Sequence, residues 1–233
     1  MSSIADNIRS VTRRIQKATH QAGRKPDSVR LLAVSKTRPP EDIRAAAQAG
    51  QTAFGENYLQ EALDKIEVLK DLADIEWHFI GPIQSNKTRQ IAEAFSWVHS
   101  VDRLKIARRL SEQRPDGLGP LNICLQVNVN AEESKSGCLL TELPELAATI
   151  SELPHLTLRG LMAIPDPSQS EADLKQSFQK LANALTQLHQ TLPGAQQLDT
   201  LSMGMSSDLE PAIGEGATWV RVGSALFGAR PAK

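Results

Sequence analysis

Cysteine is scarce in this chain. Cys124 and Cys138 are the only two, too few for a disulfide framework or a four-thiol metal site. Both read as free thiols of a reducing compartment, Cys124 within the core. An excess of one charge is also lacking, with 26 Lys and Arg against 27 Asp and Glu and a formal net charge of -1. That balance removes the electrostatic case for nucleic acid or an anionic membrane as a partner. No apolar run approaches the ~20 residues that span a bilayer. The start, Met1-Ser2-Ser3-Ile4-Ala5-Asp6, lacks the charged-then-apolar layout of a secretion signal, so the expected location is the cytoplasm. Low-complexity stretches and interdomain linkers are missing as well. The 233 residues therefore read as a single domain, 1–233, within the size range of a barrel.

What is present is alternation. Ile4, Ile8, Val11 and Ile15 recur at helical spacing behind a Ser3–Asp6 capping pair, which predicts an N-terminal helix closed by Gly23 and Pro26. Pro39 and Pro40 open a second helix that ends at Gly50. Leu174, Phe178, Leu181, Leu185 and Leu188 share one helical face after a Ser170–Asp173 cap. Short apolar segments lie at 30–35, 52–54, 77–80, 97–98, 121–129, 156–161, 198–201 and 219–222. Strands alternating with helices imply parallel pairing, because a parallel crossover needs a long connection. Eight such units predict a closed (β/α)8 TIM barrel with an extra N-terminal helix. The runner-up, an open doubly wound sheet, is weakened because no Gly-rich dinucleotide fingerprint follows the first strand.

Lys36 closes the first apolar run, Leu31-Leu32-Ala33-Val34-Ser35-Lys36. Burial pushes an ammonium toward the neutral amine, and a neutral amine forms Schiff bases with carbonyl compounds. A strand-end lysine that simply reaches solvent would look the same. The segments after the seventh and eighth strands, Ser202-Met203-Gly204-Met205-Ser206-Ser207 and Arg221-Val222-Gly223-Ser224, carry the small residues and hydroxyls of a phosphate site. Barrels often build such a site there, with the start of a short helix. Two ordinary turns with capping serines are the plain alternative. Arg221 fits three roles: a phosphate ligand, a surface ion-pair partner, or a donor facing a ring nitrogen, as an Asp or Arg does in pyridoxal phosphate sites. A guanidinium cannot accept a proton, so in the third role the ring nitrogen stays unprotonated.

Lysine, phosphate cradle and arginine together describe one ligand, pyridoxal 5′-phosphate. The sequence also resembles the pyridoxal phosphate homeostasis proteins, relatives of the N-terminal barrel of bacterial alanine racemase. The resemblance covers nearly the whole chain. It is carried by Ala33-Val34-Ser35-Lys36-Thr37, Phe54-Gly55-Glu56-Asn57-Tyr58, Trp77-His78-Phe79-Ile80-Gly81, Gln84-Ser85-Asn86-Lys87, Asn128 with Ser134-Lys135-Ser136-Gly137, Gly160-Leu161-Met162-Ala163-Ile164, Ser202-Met203-Gly204-Met205-Ser206 and Arg221-Val222-Gly223. It implies that Lys36 holds the cofactor as an aldimine and that Ser206, Gly223 and Ser224, with Ser207, hold its phosphate. Arg221 would face the pyridine nitrogen, Asn57 would lie near the ring, and Met162 would pack against it.

The resemblance implies a carrier in intracellular cofactor homeostasis and amino-acid and keto-acid balance, in transient contact with apo-enzymes. Two alternatives stand beside it: a racemase-like enzyme, and a cofactor-free Schiff-base barrel such as an aldolase. Racemisation needs a base on each face of Cα. In the alanine racemase relatives the second base is a tyrosine from a β-rich domain of the partner subunit, whereas this chain ends soon after the eighth strand and holds one tyrosine, Tyr58. A monomer without robust catalysis is therefore expected. His78 reads as a satisfied structural histidine, and His20, His99, His155 and His189 show no ligand spacing, so no metal site is assigned. Lys87, Lys135 and Arg38 read as mouth charges or as solvated surface.

Overall fold

The computed structural model describes residues 3–229; the two ends of the expected 1–233 domain lie outside them. The strands are β1 (Arg30–Val34), β2 (Ala53–Glu56), β3 (Glu76–Phe79), β4 (Trp97–Val101), β5 (Leu121–Asn128), β6 (Cys138–Leu139), β7 (Leu156–Met162), β8 (Thr200–Ser202) and β9 (Trp219–Val222). All pairings are parallel, in the order β4-β3-β2-β1-β9-β8-β7-β5, and a β4–β5 pairing closes the ring. The closed eight-stranded barrel is thus present, and the open sheet is excluded. The short β6 pairs with the far end of β5, outside the ring; two residues carry too little pattern to announce a strand.

The helices are α1 (Ile4–Gln21), α2 (Pro40–Gln48), α3 (Leu59–Val68), α4 (Thr88–Ala94), α5 (Leu104–Gln113), α6 (Leu143–Ser151), α7 (Glu171–Thr191), α8 (Leu209–Gly214) and α9 (Ser224–Phe227). The cap that opens α1 is reciprocal. Ser3 Oγ accepts the Asp6 N–H at 3.1 Å, and the Asp6 carboxylate accepts the Ser3 N–H at 3.2 Å. Ile8, Val11 and Ile15 bury the inner face of α1, which packs on α8, α9 and α2. Arg14 then ties α1 to the β8 loop, donating to both Glu210 oxygens and to the Ser206 carbonyl. Ser170 caps α7, whose buried face runs through Leu174, Phe178, Leu181, Leu185 and Leu188.

Strand alternation divides the interior in two. Outward residues such as Ala33, Phe54, Phe79, Val98 and Val220 join the main core against the helices. Inward residues fill the barrel in separate clusters: Leu32, Ala53, Ile80 and Trp219, then Trp97, Cys124 and Met162. Leu32, Val34 and Lys36 therefore share the inward face of the first βα unit, and Lys36 emerges at the C-terminal mouth. Both cysteines are buried free thiols. Burial holds the Cys124 thiol far above its ordinary pKa and pushes Cys138 up to about 12. Among the described residues no helix is long and apolar enough to cross a membrane.

Candidate functional site

The mouth of the barrel holds a cavity of about 410 Å³ lined by Lys36, Asn57, Ser206, Ser207, Arg221, Gly223 and Ser224, with Val34, Ile80 and Ile164 as apolar wall. Residues spread from 36 to 224 thus meet at one place because each lies at or beyond the C-terminal end of a strand. Lys36 is half-buried at the end of β1, and Ser207 and Ser224 are exposed at the rim. Ser206 and Ser224 face each other, Oγ to Oγ 3.4 Å, so two hydroxyls from different loops point at the same small volume. Gly223 belongs between them: a Cβ there would press on the Val34 carbonyl at 3.2 Å. Asp208 accepts the Met205 N–H at 2.5 Å and shapes the β8 loop. Arg38 donates to the carbonyls of Gly228 and Ala229 and pins the turn after α9.

Met162 does not line this cavity. It is fully buried with Trp97 and Cys124 in the barrel interior. Tyr58 is 52% exposed at the start of α3 and lines a neighbouring groove with Lys87. Lys135 borders another cavity of about 290 Å³ that shares Asn57, Ile80 and Ile164 with the first. Asn57 stands at the junction of these spaces, and its Oδ1 is buried without a hydrogen-bond partner. Gly81 allows this arrangement, since a Cβ there would fall 2.1 Å from the Asn57 carbonyl oxygen.

Arg221 is buried and lowered to about 10, first by desolvation. Its Nη1 donates to Ser202 Oγ and its Nη2 to the Ala163 carbonyl, both at 2.8 Å. A guanidinium has five N–H donors, so others remain for the cavity it lines. Of the three roles open in the sequence, the surface ion pair is excluded by this burial.

Two groups of polar neighbours meet here whose pairings the sequence did not announce, although His78 is the hydrogen-bonded structural histidine it suggested. Beneath Lys36, the buried Lys65 ammonium donates to the Ser35 carbonyl (2.8 Å), Glu56 (2.8 Å) and Glu61 (2.5 Å). Ser35 Oγ donates to the same Glu56 oxygen at 2.6 Å. Burial pushes the Glu56 carboxyl up, against the pull of Lys65 and Ser35. Within the barrel, His78 and His99 are fully buried and hydrogen-bonded to each other at 2.9 Å. Strand alternation was the available signal, because it places residues 76 and 78, 97 and 99, and 219 and 221 on inward faces. Among the described residues no group of three or more His, Cys, Asp or Glu is arranged to hold a metal ion.

Comparison with known proteins agrees with this architecture. Residues 2–231 match the family model described as alanine racemase, N-terminal domain. The pyridoxal phosphate homeostasis protein of Pseudomonas aeruginosa is 62% identical over 230 residues, covering 99% of this chain and 97% of that protein. Among solved structures, PipY of Synechococcus elongatus without PLP has 39% identity and a TM-score of 0.87, covering 97% of this chain and 100% of that one. PipY with PLP bound has 38% identity, a TM-score of 0.85 and the same coverage. By family model and by identity along nearly its whole length, this chain belongs to the pyridoxal phosphate homeostasis proteins, within the alanine racemase N-terminal domain family.

Proposed function

We propose that the mouth cavity binds pyridoxal 5′-phosphate and that Lys36 is its Schiff-base lysine. The carrying observation is the convergence of an amine, a pair of facing hydroxyls beside a glycine, and a buried guanidinium on one cavity. The residues fit the group. Ser206, Ser207, Ser224 and the backbone at Gly223 would offer donors to a phosphate, and Asn57, which lines the same cavity, carries an unpartnered oxygen. Arg221, which only donates, suits an unprotonated ring nitrogen. The PLP-bound relative supports the same reading. When bound, the cofactor supplies a reactive aldehyde and a conjugated electron sink.

The role we propose is carrier and regulator in intracellular cofactor homeostasis, exchanging pyridoxal phosphate with apo-enzymes, without robust catalysis. Two observations favour it over a racemase-like enzyme. The chain's one tyrosine does not line the Lys36 cavity, so that cavity has no phenolic base opposite the lysine. The exposed serines at its rim leave the site accessible to solvent, which suits exchange better than water-excluded chemistry.

An absorbance spectrum of the purified protein, borohydride reduction and peptide mapping test the assignment. A visible band that reduces onto Lys36 is expected. A protein that stays colourless after incubation with pyridoxal phosphate would overturn it and revive the cofactor-free Schiff-base barrel. Sustained Lys36-dependent turnover of an amino acid would overturn the carrier role.

A further inference from the structure

A continuous line of side chains runs through the barrel from its N-terminal end to the mouth. Glu76 at the start of β3 meets His78 Nε2 at 2.9 Å. His78 Nδ1 meets His99 Nε2 at 2.9 Å, and His99 Nδ1 meets Ser202 Oγ at 2.7 Å. Ser202 Oγ accepts from Arg221 Nη1 at 2.8 Å. The members come from β3, β4, β8 and β9, and His78, His99 and Ser202 are fully buried. Trp97 stacks on the His78 ring at 5.4 Å, and Trp219 meets its face edge-on at 4.9 Å.

The two ends of the line dictate its protons. A carboxylate only accepts and a guanidinium only donates. The His78 hydrogen bond lowers the Glu76 carboxyl, so Glu76 is ionised and His78 Nε2 carries the hydrogen. Burial keeps His78 neutral, which leaves its Nδ1 bare, so His99 Nε2 must donate to it. His99 is held neutral more strongly, first by burial, with the nearby Arg221 charge adding to it. Its Nδ1 is therefore bare and takes the Ser202 hydroxyl hydrogen. The reverse order would need an imidazolium at His78 and would leave the Ser202 hydroxyl without this acceptor. Only one arrangement satisfies every member, and it points one way, from cation to anion.

We propose that Ser202, His99 and His78 are positioning residues for Arg221. They form a proton-ordered chain, anchored on Glu76, that fixes the plane of the guanidinium and so aims its remaining donors into the mouth cavity. The bond from Nη2 to Ala163 fixes the other corner of the same plane. With the chain unordered, the Ser202 hydroxyl could turn its hydrogen toward the buried guanidinium and cease to accept from it. The effect on bound ligand rests on the pyridoxal phosphate reading above; the chain itself does not.

The test has two arms. In the first, protein labelled with 15N-histidine is examined by NMR as purified, with His78 and His99 identified by single substitution. Both rings should carry hydrogen on Nε2 and a bare Nδ1, unchanged from pH ~8 to pH ~6. An Nδ1–H tautomer or an imidazolium at either ring would overturn the proposal. In the second arm, pyridoxal phosphate affinity and its visible band are compared in S202A and in S202T, which keeps the hydroxyl. S202A should lose about tenfold in affinity, as one charge-assisted bond predicts, and shift the band, and S202T should restore both. In an R221K background S202A should add nothing further. A loss of thermal stability with affinity and band unmoved would overturn the positioning role. If the unsubstituted protein takes up no pyridoxal phosphate, the cofactor reading fails, while the tautomers still decide the chain.

Discussion

Glu61 accepts the backbone N–H of Thr37 at 2.6 Å, and Thr37, directly after Lys36, holds a φ of 63°. A β-branched residue in the left-handed region is strained, typically by about 1–3 kcal/mol. Here the strain is held in place by the carboxylate, which Lys65 in turn clamps. The conformation turns the chain sharply at the point where Lys36 leaves the strand, so it bears on how the lysine enters the cavity.

Replacing Glu61 with Ala removes the acceptor for Thr37 and one partner of Lys65. The expected loss is about 2 kcal/mol, the scale of a hydrogen bond to a charged group, read by urea denaturation. Borohydride trapping of pyridoxal phosphate on Lys36 should also slow, because the turn that presents the lysine relaxes. Unchanged stability and trapping would show that Glu61 does not hold the turn.

Lys65→Met leaves Glu56 buried without its cation. Breaking a buried pair on one side costs about 3–5 kcal/mol, and guanidinium denaturation should show a loss of that size. Adding Glu56→Gln should recover most of it, since the uncompensated charge is then gone. A double variant no more stable than the single one would show that the cost lies in packing rather than charge.

Ser206→Ala with Ser224→Ala removes both facing hydroxyls. Hydrogen bonds to a charged phosphate contribute about 1.5–3 kcal/mol each, so losing both should lower affinity for pyridoxal phosphate by about a hundredfold or more. Equilibrium dialysis measures this, and the Lys36 band should still form at high ligand. Unchanged affinity would remove these serines from the phosphate site.

His99 supplies a pH signature. Its folded pKa lies well below the ordinary 6.5, so as pH falls through about 6.5 the unfolded chain binds a proton that the folded chain refuses. Stability from this ring is fully present above that pH. It is lost on acidification by up to about 1.4 kcal/mol per pH unit, until the folded value is reached. The raised Glu56 carboxyl acts in the opposite sense. Comparing the protein with His99→Gln separates the two, because Glu56 is common to both. Denaturation at pH ~7 and pH ~5.5 should show the steeper loss with histidine present; equal slopes would mean that His99 takes up a proton in the fold as readily as in the unfolded chain.

Local patterning carried the barrel architecture and the approximate places of its strands, while their ends shifted, as where the segment 97–98 became Trp97–Val101. Eight apolar segments alternating with helices can bury themselves as a parallel barrel, and local chemistry at Ser3, Pro40 and Ser170 set helix starts within a residue or two. Lys36 and Arg221 were legible as candidates because a charged residue breaks the strong local pattern of an apolar segment, and Ser206 and Gly223 because small residues cluster after the last two strands. Tertiary structure alone decided which polar residues meet inside the barrel. Glu76 and His78 share β3, but His99 comes from β4 and Ser202 from β8, and only closure of the ring brings the last two within hydrogen-bond distance. Lys65 belongs with them: on a helix it reads as one more exposed cation, and only packing of α3 against the end of β1 buries it against Glu56. The same closure seated Met162 beside Trp97 and Cys124 in the interior rather than on the cavity wall. Strand direction is a local property of the chain, but strand register across a closed sheet is not, and the interior contacts depend on register.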